Sequence, residues 1–75
     1  MDGDVAEQTG PTCDRVRRAL SQSPIFALRR LEVERQGDAL ILTGRVHTFY
    51  EKQLAQELVR DVEPEIDLVN SVAVD

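Results

Sequence analysis

Large aromatic side chains are scarce in this chain, which has two phenylalanines, one tyrosine and no tryptophan among 75 residues. So few rings exclude a core built on stacked aromatics and leave burial to leucine, isoleucine and valine. Cysteine and histidine occur once each, as Cys13 and His47. A single thiol excludes an intramolecular disulfide, and one thiol with one imidazole excludes a zinc cluster of soft ligands, so no metal is expected. No apolar run nears the length that spans a bilayer. The start, Met1-Asp2-Gly3-Asp4-Val5-Ala6-Glu7, is acidic and lacks the apolar segment of a secretory signal. Positive charge is not in excess either. A net charge of −5 has the wrong sign for a polyanion-binding module, and no nucleic-acid partner is expected.

What remains is enough for one domain with one small core, worth about 3–5 kcal/mol. Residues 1–11 hold three acids, two glycines and a proline with little apolar surface, which predicts a flexible tail ahead of a single domain over 12–75. Thr12 is the expected cap of a first helix running to about Gln22. Cys13, Val16, Ala19 and Leu20 lie on its apolar face, and Cys13 reads as a small core residue. Ser23-Pro24 stops that helix. Ile25, Phe26 and Leu28 then form an irregular apolar connection, with Phe26 the expected buried ring.

Two alternating runs follow, Leu31 to Arg35 and Leu40 to Val46, joined at Gln36-Gly37-Asp38 by a tight antiparallel turn. In the second run Leu40, Leu42, Gly44 and Val46 face inward, and Gly44 lets neighbouring backbone come close. Thr48-Phe49-Tyr50-Glu51 has the spacing of a capping box and opens a second helix. Leu54, Ala55, Leu58, Val59 and Val62 give that helix its apolar stripe, and Pro64 ends it. Ile66 to Val74 reads as a third strand.

The expected fold is α+β in the order αββαβ, with a three-stranded mixed sheet in the order 1-2-3, strand 2 central, and both helices packed on one face. The opposite face, with Ile41, Thr43, Arg45, Val69, Ser71 and Ala73, is left open.

Over Thr12 to Val74 these residues resemble the BON domain, the bacterial OsmY and nodulation module. The resemblance rests on Val16-Arg17-Arg18-Ala19-Leu20, Leu31-Glu32-Val33, Gly37-Asp38-Ala39-Leu40-Ile41-Leu42-Thr43-Gly44-Arg45-Val46 and the closing Val69-Asn70-Ser71-Val72-Ala73-Val74. Lys52, Ala55 and Val59 on the second helix add to it, and Gly44 and Asn70 look like signature positions. Pro64-Glu65-Ile66 stands where the family has a glycine and valine, a departure at that turn. The resemblance implies no catalysis and no cofactor. It implies an interaction module tied to envelope integrity, osmotic stress and phospholipid binding. A complete chain of this sequence is expected in the cytoplasm, and a fragment of a larger BON protein in the periplasm or at a membrane.

Charge is unevenly spread. From Thr12 to Arg45 seven arginines face four acids, a balance of +3, whereas from Val46 to Asp75 two basic residues face seven acids, a balance of −5. Arg15, Arg18, Arg29 and Arg30 are candidate contacts for an acidic protein partner, for the acidic half of a second copy, or for anionic phospholipid. The plainer reading makes them solvated faces with weak local ion pairs. Of Phe49 and Tyr50, one ring is expected to pack at the helix start, with Tyr50 the exposed contact residue because its hydroxyl needs water or a partner. Asn70 shares a row with Leu68 and Val72, which makes it structural, its amide satisfying backbone groups near a helix end. No nucleophile, base or paired-carboxylate arrangement stands out, so no catalytic residue is expected.

Overall fold

The computed structural model describes residues 11–75, and residues 1–10 of the tail expected over 1–11 lie outside the described residues. The elements are α1 (Pro11–Ser21), α2 (Phe26–Arg29), β1 (Glu32–Gln36), β2 (Ala39–Thr43), β3 (Arg45–Val46), α3 (Phe49–Val62), β4 (Asp67–Asn70) and β5 (Ala73–Val74). Helix α1 already includes Pro11, whose ring-fixed φ suits a first turn, so Thr12 stands inside the helix rather than capping it.

Strand β1 pairs antiparallel with β2, and β2 pairs parallel with β4, giving the order β1-β2-β4. This is the expected mixed sheet with its second strand central. The hairpin closes at Gln36↔Ala39, and Gly37 at the first turn position has φ +60°, where a side chain would be disfavoured.

The central and last strands are each interrupted, which the alternating patterns do not predict. Strand β3 continues β2, β5 continues β4, and these short continuations also pair in parallel. The register runs through the break unchanged, from Ala39↔Asp67 to Val46↔Val74. Backbone bonds bridge the gap, from Ser71 N–H to Leu42 O at 2.8 Å and from Ala73 N–H to Gly44 O at 2.9 Å. Gly44 causes the interruption on the central strand, with φ +129°. An added Cβ there would lie 2.7 Å from Leu31 Cδ2 and 3.3 Å from Leu31 Cα, so the glycine makes room for the chain entering β1.

The core lies between the sheet and the helices. Cys13, Val16 and Leu20 enter it from α1, Leu28 from α2, and Ala55 and Val59 from α3, against Val33, Leu40, Leu42, Val46 and Val72. Val69, Ser71, Ala73 and Arg45 are exposed on the other face, with Ile41 and Thr43 partly covered beside them. Thr48 Oγ1 accepts from the Glu51 N–H at 3.0 Å, and the Glu51 carboxylate accepts from the His47 N–H at 2.8 Å. The box therefore satisfies two donors, the second one residue before the cap. The turn over Glu63–Ile66 closes with Ile66 N–H donating to Glu63 O, and Ile66 packs on the core.

Candidate functional site

The connection after α1 is a single helical turn, and this decides where its aromatic ring goes. Successive helical residues are about 100° apart, so Phe26 lies roughly opposite Leu28, two positions on. Leu28 is buried, and Ile25 and Ala27 pack on the core, which turns Phe26 outward. The ring is 65% exposed, a correction to the expectation that it is the buried aromatic. Leu28 takes the buried position instead, with Ile25 packed beside it.

Phe49 and Tyr50 stand in the first turn of α3, whose core-facing positions begin only at Leu54 and Ala55. Neither ring is among the apolar side chains packed on the core. Phe49 is 76% exposed and Tyr50 70%. The exposure expected for Tyr50 is present, but the packed ring expected beside it is not. All three of the protein's aromatic side chains therefore face outward.

They share one end of the molecule. Strands β3 and β5 run parallel and finish at Val46 and Val74. Beyond Val46 come His47 and the start of α3, so Phe49 and Tyr50 sit at the carboxyl ends of the parallel strands. Phe26, Ala27 and Arg30 form one wall of a groove of about 360 Å³ at this end, and Arg45, Val46, His47 and Asp75 complete it. The Arg30 guanidinium lies over the Phe26 ring, 5.8 Å from its centroid, a cation–π contact worth about 0.5–1 kcal/mol at an exposed site. Arg45 faces Asp75 at 3.6 Å, both side chains largely exposed.

The four candidate arginines are not equivalent. Arg30 lines the groove, and the adjacent Arg29 is held at α2 by donating from Nε to Ser23 O at 2.7 Å. Arg18 is exposed on α1. Arg15 forms an ion pair with Glu63, just past the C-terminal end of α3. Helix α3 has 14 residues, about 21 Å, so Arg15 stands a helix length from the groove. Arg45 and His47 join Arg30 there instead. From the sequence, Arg45 is expected on the open sheet face, an interface candidate, but not in the basic patch, and His47 has no contact role. The available signal was position, since the two flank Val46, the last inward-facing residue of a strand that ends at a helix start.

Asn70 is occupied structurally. Its Nδ2 donates to Lys52 O at 3.2 Å and to Gln56 Oε1 at 3.3 Å, and its Oδ1 accepts from the Val72 N–H at 3.2 Å. The side chain ties α3 to the last strand and covers a donor in the gap between β4 and β5. Cys13 is fully buried, and burial pushes its thiol pKa up. Among the described residues, no helix is long and apolar enough to cross a membrane.

A second recess lies on the helical face. It measures about 340 Å³ and runs between the segment Ser23–Leu28 and the flank of α3, where Leu54, Leu58 and Val62 form its apolar wall and Glu57 and Asp61 its acidic rim. No family model and no curated protein matches this chain.

Proposed function

We propose that this chain is a non-enzymatic binding module of BON type, and that its contact surface is the end bearing Phe26, Phe49 and Tyr50 among Arg30, Arg45 and His47. The observation that carries the reading is the exposure of every aromatic side chain in the protein, Phe26 on the groove wall and Phe49 and Tyr50 in the helix turn that follows the groove residues Val46 and His47. A small domain of marginal stability gains from burying rings, so rings left in water among charged groups are the kind of surface that partners cover. Phenylalanine has no polar group to account for its exposure. A cation–π pair and a groove beside it suit a protein partner that offers acidic and apolar groups together.

The resemblance places such a module in an envelope or stress-related setting. A second reading, contact with an anionic phospholipid surface, is favoured by the same end, because exposed rings flanked by arginines suit the headgroup boundary. The net charge of −5 opposes it.

The test is affinity capture from an extract of the source organism, using the wild-type chain and the variant carrying Phe26→Ala, Phe49→Ala and Tyr50→Ala. The reading expects proteins held by the wild type and lost by the variant, and identical sets would contradict it. Pelleting with phosphatidylglycerol vesicles that high salt reverses would transfer the surface to lipid.

A further inference from the structure

The recess on the helical face and the aromatic end have complementary chemistry. The recess is apolar along Ile25, Leu54, Leu58 and Val62, with carboxylates at Glu57 and Asp61. The aromatic end offers an exposed ring, Phe26, with a guanidinium stacked on it, Arg30. The recess, about 340 Å³ and widely open to solvent, has room for one such ring. We infer that the partner of the aromatic end is a second copy of this chain, whose helical recess receives Phe26 while Glu57 and Asp61 meet Arg30. This inference rests on the reading of that end as a contact surface.

The geometry also sets the symmetry. Helix α2 presents Phe26 on one side and, with the preceding Ile25, lends Leu28 to the recess on the other, so the two patches are different faces of one segment. A contact between unlike patches is heterologous, and each added copy leaves one free end and one free recess. The net charge of each copy is negative, but at physiological salt the screening length is about 8 Å, so the facing charges at the contact outweigh the distant ones.

The experiment is sedimentation of the full chain from micromolar to millimolar concentration at physiological salt. Wild type should grow in mass with concentration without stopping at a dimer. Arg30→Glu alone, and Glu57→Arg with Asp61→Arg together, should each weaken association by about tenfold or more, since like charges then face each other. Mixing the two variants one to one, or combining all three substitutions in one chain, restores opposite charges at every contact and should restore assembly. All these positions are exposed, and unchanged circular dichroism confirms that each variant is folded. A wild type that stays monomeric at millimolar concentration overturns the inference, as does association indifferent to both charge reversals or a mixture that fails to reassemble. Any of these outcomes coupled with aromatic-dependent capture from the extract would remove self-association and keep the contact surface. Loss of aromatic-dependent capture as well would remove both.

Discussion

Gly44 is the residue on which the central strand turns. A side chain there meets two penalties at once, a backbone conformation of φ +129° and a collision with Leu31. Together these should cost Gly44→Ala roughly 2–4 kcal/mol, most of the stability of so small a domain, and urea unfolding should show a greatly lowered or absent midpoint. The close approach was legible in the sequence as a glycine on an inward-facing row. The break it makes in the strand was not, because alternation reports which way side chains point and says nothing of φ. Cys13 gives a second prediction. Its thiol is neutral and buried in the folded state with a raised pKa, whereas the unfolded thiol ionises from about pH 8.5. Above that pH the unfolded state holds fewer protons than the folded one. The contribution from Cys13 is therefore complete below about pH 8 and is lost as pH rises through the raised folded value. Unfolding free energies measured from pH 7 to pH 10 should decline more steeply for wild type than for Cys13→Ala.

At the level of elements, the hairpin and the capping box were readable because turn and cap chemistry is local and depends on a few residues in a row. Helix α2 was not, since four residues are too few to display a helical period. That single turn decides whether Phe26 points in or out, so the misplacement of the ring follows directly from the missed helix. The coupling between α3 and the last strand was half legible. Alternation put Asn70 on the helix-facing row, but only the fold brings Lys52 and Gln56 within reach of its amide and Val72 back onto its oxygen. Asn70→Ala should lower stability by about 1–3 kcal/mol and speed hydrogen exchange at the Val72 amide, whose partner it removes. Unchanged exchange at Val72 would show that the bond does not protect it.

For the whole molecule, charge asymmetry was visible in the sequence but its location was not. Arg15, Arg18, Arg29 and Arg30 read together as candidate contacts, whereas folding holds Arg15 against Glu63 and gathers Arg30 with Arg45 at the opposite end of α3. The aromatic end was hidden for a related reason. Phe26 and the pair Phe49-Tyr50 lie more than twenty residues apart, and only the placement of α2 beside the strand end preceding α3 unites them. The core carries the stability without them, through leucines, valines and Cys13. The central claim, that these rings belong to the surface and not to the core, is tested most directly by urea unfolding of the chain carrying Phe26→Ala, Phe49→Ala and Tyr50→Ala. Exposed positions cost about 0.5 kcal/mol or less each, so the three together should lower the unfolding free energy by no more than about 1.5 kcal/mol. A buried phenylalanine truncated to alanine costs about 3–5 kcal/mol, and a loss of that size would contradict the account.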